Sequence, residues 1–239
     1  MNIVTIIHAR GGSKRVPLKN IKKINDIPLI AFPINLSKSI KKISRTIVST
    51  DNRDIADIAL SYGAEVPFWR PKEISEDVAS ELVTEHALKF LINDEKYVPD
   101  LIITMTPCHP FTQKKHLEDG INLLIENKDW DSVATLKSAT EHPQWMIKYE
   151  KGKLCSTLLG NPLDGDYNIS QKLEKYYYLH GAFFINRVEA FLKKPNLYGN
   201  KWGAVLFKEN YHIDIDTPED LSIAKNLAKQ FKLKIWAVF

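Results

Sequence analysis

The stretch IVTIIHARGGSKRVPLKN, residues 3–20, joins a short apolar run to two glycines and a cluster of basic side chains. Residues 3–7 are mostly apolar and β-branched, which is typical of a buried parallel strand. Glycines directly after such a strand let the backbone approach a ligand closely and present successive N–H groups to it. The basic side chains that follow are those of Arg10, Lys14, Arg15 and Lys19.

This turn predicts a site for a polyphosphate or another anion, in the crevice at the carboxyl edge of a sheet. Ser13 adds a hydroxyl donor to it. Neither GxGxxG nor GxxxxGK(S/T), the glycine-rich patterns of two common nucleotide-binding folds, occurs in the turn. A turn with a purely structural role is the alternative, although such a turn would not need glycines at the end of the strand.

The rest of the chain alternates between apolar strands and amphipathic helices. Strands are predicted at 46–49, 100–105, 131–136, 181–186, 204–207 and 211–215, and helices at 28–40, 53–62, 80–91, 114–125 and 218–231. This order predicts an α/β fold, namely a Rossmann-like three-layer fold with a mostly parallel sheet and helices on both faces. We expect Pro33 to kink the first helix or to delay its start.

Residues 141–178 interrupt this alternation because they are polar, aromatic and rich in turn residues. They predict a hairpin that leaves the main sheet, with a long surface loop as the alternative. A chain of 239 residues fits one sizeable α/β domain. We therefore expect a single domain over 1–239, with 141–178 as a protruding insert that covers a substrate or contacts a second subunit.

Composition excludes several classes of protein. The net charge is +4 and the lysines are dispersed along the chain, so we expect no nucleic-acid partner. The two cysteines, Cys108 and Cys155, form no CxxC motif, so zinc-ribbon and dithiol redox motifs are absent. No apolar run approaches the roughly 20 residues of a membrane span, and the first residues do not resemble a signal peptide. We expect a cytoplasmic protein without a membrane partner.

The second chemical signal is the acidic pair Asp214 and Asp216. Alternate residues of a strand point to the same face, where two carboxylates repel each other unless a cation lies nearby. Mg²⁺ prefers one or two carboxylates together with phosphate oxygens and water. The alternative is that one aspartate caps the helix that begins near Pro218 and the other is solvated.

The chain resembles the acylneuraminate cytidylyltransferase family, whose members make CMP-sialic acid and related sugars, with the CMP-Kdo synthetases as distant relatives. The resemblance is carried by ARGGSK at 9–14, KN at 19–20, PLIA at 28–31, VSTD at 48–51, YGAEVPF at 62–68, RP at 70–71 and DIDTPEDL at 214–221. These blocks cover most of the chain in the family's order.

The resemblance implies transfer of CMP from CTP to the anomeric hydroxyl of an acidic 2-keto sugar, with release of pyrophosphate. It implies that CTP is bound by Arg10, Gly11, Gly12, Ser13, Lys14, Lys19, Asn20, Arg70 and Ser80. Catalysis would rest on Lys19 at the α-phosphate, together with Arg10 and with a Mg²⁺ or Mn²⁺ ion on Asp214 and Asp216. The family also implies a homodimer.

The residues for the acceptor depart from the family's pattern. Thr106 stands where the family has an acceptor-binding glutamine, and Thr112 and Ser170 stand where it has arginines. A hydroxyl cannot replace a forked guanidinium without changing what is recognised. The candidates for acceptor contact are Thr106, Gln171, His180 and Phe184.

We therefore expect a related nonulosonic acid, of the pseudaminic or legionaminic type, rather than ordinary N-acetylneuraminate. The alternatives are CMP transfer to Kdo or to a phosphonate, and a nucleotide-binding homologue that has lost catalysis. Cys108 and His109 are adjacent, but no third group orients them as a nucleophile and its base.

Overall fold

The computed structural model describes residues 1–159, 172–208 and 212–230. Its strands are β1 (Ile3–His8), β2 (Lys23–Ile24), β3 (Ile27–Pro28), β4 (Ile43–Ser49), β5 (Leu101–Met105), β6 (Ser132–Ser138), β7 (Ile147–Glu150), β8 (Lys153–Thr157), β9 (Tyr177–Leu179), β10 (Phe183–Arg187) and β11 (Trp202–Phe207). Its α-helices are α1 (Ala31–Lys38), α2 (Arg53–Ser61), α3 (Ser80–Asn93), α4 (Lys114–Glu126), α5 (Val188–Lys193) and α6 (Pro218–Gln230).

The central sheet has seven strands, six of them in the order β11-β6-β10-β5-β1-β4, with β9 paired to β6. Strand β1 pairs in parallel with β4 and β5. Strand β10 is antiparallel to both of its neighbours, and β11 is again parallel to β6. The predicted mostly parallel sheet is confirmed, and the carboxyl ends of β1, β4 and β5 lie at one edge.

Helices cover both faces of the sheet because successive residues of β1 point to opposite sides. Ile3 and Ile7 belong to a core cluster that includes residues of α1, α2 and α4. Val4 and Ile6 belong to a second cluster that includes residues of α3 and α5. This arrangement is the predicted three-layer fold.

The first helix starts later than its predicted position at residue 28. Pro28 lies in β3 and α1 begins at Ala31. Pro33 is therefore the third residue of the helix, where a backbone N–H would have no intrahelical acceptor. Of the two predicted effects of Pro33, the delayed start is the one observed.

Two caps fix helix ends near the carboxyl edge. The side chain of Asn52 accepts a hydrogen bond from the backbone of Ile55 at 3.1 Å at the start of α2. At the start of α6, Thr217 N–H donates to Oδ2 of Asp220 at 2.8 Å, and Asp220 N–H donates to the Thr217 hydroxyl at 3.2 Å. These reciprocal hydrogen bonds resemble a capping box and fix the start of the helix at Pro218.

The predicted strand at 211–215 is wrong over 212–215, which has irregular backbone. A backbone hydrogen bond of 3.0 Å, from Ile215 N–H to the carbonyl of Cys108, connects this segment to the loop after β5. Helix α5 and strand β9 were not predicted.

The insert begins as the predicted hairpin. Strands β7 and β8 pair antiparallel in a small sheet of their own. Lys151 and Gly152 between them have φ angles of 49° and 80°, as a tight hairpin turn requires. Strand β9 then returns to β6. In the ranges that the structure describes, every helix is too short or too polar to cross a membrane.

Candidate active site

The basic turn after β1 is held in shape by its own polar groups. The buried side chain of Asn20 donates to the backbone carbonyl of Arg10 at 2.8 Å. The backbone carbonyl of Asn20 accepts from the backbone N–H of Ile30. Gly11 N–H donates to Oδ1 of Asp51 at 2.7 Å. Asn20 thus closes the turn, and the N–H of Gly11 is directed at a carboxylate that follows β4.

The two glycines of the turn have different surroundings. A Cβ atom on Gly11 would lie 2.8 Å from Cβ of Asn52, closer than side chains pack. A Cβ atom on Gly12 would have no atom within 4 Å. Gly11 is therefore required by packing, whereas Gly12 faces open space in front of the turn.

Two of the basic side chains converge on Asp77, which lies in the irregular segment before α3. Lys14 Nζ lies 3.0 Å from Asp77 Oδ2, and Arg10 also hydrogen-bonds to this carboxylate. The hydrogen bond from Arg10, and then that from Lys14, lower the pKa of Asp77 to about 2. The carboxylate of Asp77 thus lies between these two cations and occupies the position of an anion.

Lys19 and Arg15 converge on Asp216. Lys19 is largely buried, and its ammonium donates to Oδ1 of Asp216 at 2.9 Å and to the carbonyl of Ile215 at 2.7 Å. Burial disfavours the charged form, but Cys108 and Asp216 outweigh it and raise the pKa of Lys19. Arg15 donates to the other oxygen of Asp216 at 2.8 Å.

The acidic pair lies beside this lysine although the strand on which it was predicted does not form. One ligand atom each from Cys108, Asp214 and Asp216 lie within 4.8 Å of one another. Partial burial, and then the charge of Asp216, raise the pKa of Asp214 to about 6. Burial would also raise the pKa of Asp216, but hydrogen bonds and charges of Lys19 and Arg15 lower it. The pair is therefore crowded, and a cation at this point would relieve the repulsion.

A cavity of about 400 Å³ opens between the basic turn, the segment before α3 and the end of β5. Of the predicted site residues it is lined by Arg10, Ser13, Lys14, Lys19, Asn20, Arg70, Ser80, Thr106 and Asp216. Its wall carries five cations, which outnumber the carboxylates of Glu76, Asp77 and Asp216, and so suits a ligand that carries several negative charges. The cations are Arg10, Lys14, Arg15, Lys19 and Arg70.

Arg70 and His8 form part of the cavity wall below the turn. Arg70 is buried and donates to the carbonyl of Ser49 at 2.5 Å and to its hydroxyl at 3.1 Å. Burial lowers the pKa of Arg70 to about 10, so it stays charged at neutral pH. His8 lies 3.2 Å from the hydroxyl of Thr84, and burial lowers its pKa to about 3. His8 is therefore neutral at neutral pH.

Residues 4–237 match the model of a family described as cytidylyltransferase. The chain belongs to the cytidylyltransferase family. It is 30% identical over 237 residues to the post-translational flagellin modification protein B of Campylobacter coli, covering 97% of each chain. It is also 30% identical over 234 residues to a pseudaminic acid cytidylyltransferase of Campylobacter jejuni, covering 96% of this chain and 97% of that relative.

The fold is similar to that of a solved CMP:2-keto-3-deoxy-manno-octonic acid synthetase complexed with CTP. The TM-score is 0.70, and the match covers 97% of this chain and 100% of the other. With 14% identity, this likeness concerns the fold alone.

The acceptor candidates of this cytidylyltransferase are dispersed. Thr106 lines the cavity. Phe184 packs at the edge of the second core cluster, and its ring lies 5.3 Å from that of Tyr198. Gln171 and Ser170 lie outside the described residues. Thr112 is buried and donates to the carbonyl of His109 at 3.0 Å, so its hydroxyl is used within the loop.

His180 belongs to a group of buried imidazoles beside the acidic pair. Its ring lies 4.8 Å from that of His109 and 4.9 Å from the ring of Phe207. His116 and His212 also contact Phe207. Burial lowers the pKa of His180 to about 4, so it is uncharged at neutral pH and supplies no positive charge to an acid.

Sequence reasoning missed three contributors to the site of this cytidylyltransferase. Asp77 pairs with two cations of the basic turn, and Asp51 accepts a hydrogen bond from the Gly11 N–H of that turn. Cys108 completes the acidic cluster. The sequence suggests Cys108 only as a candidate nucleophile. Its pKa is raised by burial, which agrees with rejecting that role, but the structure brings its sulfur to the two aspartates.

Proposed function

We propose that this cytidylyltransferase transfers CMP from CTP to the anomeric hydroxyl of an acidic 2-keto sugar of the nonulosonic class and releases pyrophosphate. The observation that carries the proposal is the convergence of largely buried Lys19, the basic turn and Asp216 on one cavity, with Asp214 beside Asp216. The relatives support the nucleotide and the class of acceptor, since one is named for pseudaminic acid. Kdo as acceptor has weaker support, because the synthetase neighbour is similar in fold alone.

A divalent ion, Mg²⁺ or Mn²⁺, fits the acidic pair. Carboxylate oxygens of Asp214 and Asp216 lie close together, and crowding contributes to the raised pKa of Asp214. When bound there, the ion would neutralise charge on the triphosphate and orient the reacting oxygens. Asp214 and Asp216 would hold it.

The basic turn binds the triphosphate in this proposal. Arg10 and Lys14 leave Asp77 for phosphate oxygens, which offer more charge than one carboxylate. Ser13 and the backbone of Gly12 donate to the same oxygens, while Arg70 and Ser80 face the cytidine. Gly11 and Asn20 contribute by holding the turn, since their polar groups bind Asp51 and Arg10.

Lys19 stabilises the charge that grows on the α-phosphate while the sugar hydroxyl attacks in line and pyrophosphate leaves. Its low exposure strengthens this electrostatic effect. The protein contributes mainly position and charge, because the pKa values of His8 and His109 are lowered to about 3, which makes both imidazoles weak bases.

The carboxylate of the acceptor requires a cation beside the acidic pair, and Lys137 offers one. Lys137 Nζ donates to the carbonyl of His212 at 3.1 Å, two residues from Asp214. No carboxylate of the described residues forms an ion pair with it. It is paired across the sheet with Tyr178, whose pKa is raised by burial and then by the charge of Asp214. Thr106, Gln171, His180 and Phe184 remain proposed acceptor contacts.

We also propose that this single-domain protein works in the cytoplasm as a homodimer. The insert 141–178 contacts the second subunit in this proposal. Its described part exposes large apolar side chains at Trp145, Met146, Ile147, Tyr149, Leu158, Leu159 and Tyr176. Such a patch on a protruding hairpin is typical of a protein interface. Sedimentation velocity should detect a dimer that the change Tyr149→Asp weakens, whereas Leu60→Asp, at an exposed leucine of α2, leaves it intact.

Pyrophosphate release tests the proposed reaction. Each of the four nucleoside triphosphates is combined with Mg²⁺ and with one acid at a time: N-acetylneuraminate, pseudaminic acid, legionaminic acid, Kdo or a phosphonate. Of the four nucleotides, we expect only CTP to give release, and only in the presence of a nonulosonic acid. Release should be faster with pseudaminic or legionaminic acid than with N-acetylneuraminate. CTP binding without release for any acid would instead indicate a homologue that has lost catalysis.

A further inference from the structure

We propose that the sulfur of Cys108 is a third protein ligand of the divalent ion at Asp214 and Asp216, and that this site binds Zn²⁺ and Co²⁺ more tightly than Mg²⁺. The inference rests on the proposed function in one respect, the presence of a metal ion at the acidic pair. It adds a ligand of a different chemical class, and with it a different order of metal preference.

The backbone fixes the position of this sulfur. Cys108 follows β5 at the carboxyl edge of the sheet, and its carbonyl accepts the hydrogen bond of 3.0 Å from Ile215 N–H. Ile215 lies between the two aspartates, so this bond places the thiol opposite both of them. The ligand atoms of Cys108, Asp214 and Asp216 consequently lie within 4.8 Å of one another.

A cation already lies within this group of donors. The ammonium of Lys19 donates to Oδ1 of Asp216 at 2.9 Å, and Lys19, Asp216 and Cys108 line the same cavity. The carboxylate beside the sulfur therefore already attracts positive charge. A divalent ion bound there would replace the ammonium and leave Lys19 free for the α-phosphate.

The chemistry of the donor set determines the metal preference. Mg²⁺ takes oxygen ligands almost exclusively, whereas a thiolate with two carboxylates suits Zn²⁺ and Co²⁺. The thiol must lose its proton to bind, and the proton goes to solvent as the metal–sulfur bond forms.

Cobalt absorption tests the sulfur ligand directly. The chain has two cysteines, so Cys155→Ser gives a protein in which Cys108 is the sole thiol. We expect Co²⁺, with and without CTP, to give this variant a sulfur-to-cobalt charge-transfer band in the near ultraviolet. Cys108→Ser, with Cys155 intact, should lack the band and bind Co²⁺ about tenfold or more weakly, while its affinity for Mg²⁺ stays within about twofold.

A band that persists in Cys108→Ser, or bound Co²⁺ without a band in Cys155→Ser, would overturn the inference. Thiol protection gives a second readout that needs no change at Cys108. In the Cys155→Ser protein, Zn²⁺ or Co²⁺ should slow alkylation of Cys108 by iodoacetamide, and saturating Mg²⁺ should not. Equal protection by all three ions would contradict a sulfur ligand.

These outcomes are separate from those that test the reaction. CTP-dependent pyrophosphate release with Mg²⁺ and no cobalt–sulfur band would leave the proposed function intact and remove Cys108 from the metal site. A cobalt–sulfur band without turnover for any acid would keep Cys108 as a metal ligand and contradict the proposed function.

Discussion

The ammonium of Lys19 lies 2.9 Å from Oδ1 of Asp216, a residue 197 positions further along the chain. This ion pair joins the basic turn after β1 to the acidic segment before α6. It places the charge that would stabilise the α-phosphate directly beside the carboxylates that would hold a metal ion. The cation and the carboxylates that the proposed reaction needs thus meet in one partly buried contact.

Replacing Lys19 by methionine should remove transition-state stabilisation without removing the nucleotide site. We expect kcat to fall about 10²- to 10³-fold, as for the loss of one preorganised charged donor. CTP binding, measured by calorimetry, should weaken far less, because Arg10 and Lys14 remain. Lys23→Met, at an exposed lysine of β2, is the matched control. Equal losses in kcat and in CTP affinity would contradict a role specific to the transition state.

The two glycines of the basic turn should separate packing from ligand binding. Gly11→Ala brings a methyl group to 2.8 Å from Asn52, and we expect a loss of about 1–3 kcal/mol in the free energy of unfolding. Gly12→Ala meets no neighbour, so its unfolding should match that of the wild type while its KM for CTP rises. An unchanged KM in Gly12→Ala would show that the triphosphate does not approach this backbone.

Asp214 should lower the stability of the metal-free protein at neutral pH. Its pKa rises from 3.8 to about 6 on folding, so the folded state binds the proton more tightly than the unfolded state. Stability is therefore lost as pH rises from about 4 to 6, and stays lower above that range. With EDTA at about pH 7.5, we expect Asp214→Asn to raise the Tm.

The size of this change is modest because the Asp214 side chain is 52% exposed. After allowing for solvent screening we expect about 1 kcal/mol, or about 2–4 °C in Tm. At about pH 4 the two proteins should melt together, and with divalent ions the wild type should gain more than the variant. A lower Tm for Asp214→Asn at pH 7.5 would contradict crowding of the pair.

Lys137 should determine the affinity for the acceptor and not that for the nucleotide. Loss of a hydrogen bond to a charged group costs about 1.5–3 kcal/mol, so Lys137→Met should raise the acceptor KM about 10- to 100-fold. Lys137→Arg should restore part of it, and Lys23→Met, at an exposed lysine of β2, should change nothing. A rise confined to the KM for CTP would place Lys137 outside the acceptor site.

The elements that sequence predicted best are those specified by local pattern. Strand β1 and the turn to Asn20 are contiguous, so apolar period, glycines and charges identify both. The prediction of a strand at 211–215 is wrong because it relied on the alternation of Ile213, Asp214 and Ile215. An irregular segment that buries one side chain, here that of Ile215, can show the same alternation. It has no neighbouring strand in the described part of the sheet.

The remainder of the site depends on contacts between distant segments. Asp77 lies in a stretch without periodicity, yet two cations of the turn converge on it. Three imidazoles contact Phe207, those of His116, His180 and His212, and that of His109 contacts His180. No local pattern predicts such convergence.

The most direct test of the reaction is the fate of the acceptor's anomeric oxygen. A nonulosonic acid labelled with ¹⁸O at that hydroxyl is incubated with CTP, Mg²⁺ and the enzyme, and both products are analysed by mass spectrometry. If the sugar hydroxyl attacks the α-phosphorus, the label lies in the CMP-linked sugar and the pyrophosphate is unlabelled. Unlabelled CMP-sugar under conditions where the acid keeps its label, or CMP formed without any linked sugar, would contradict the account.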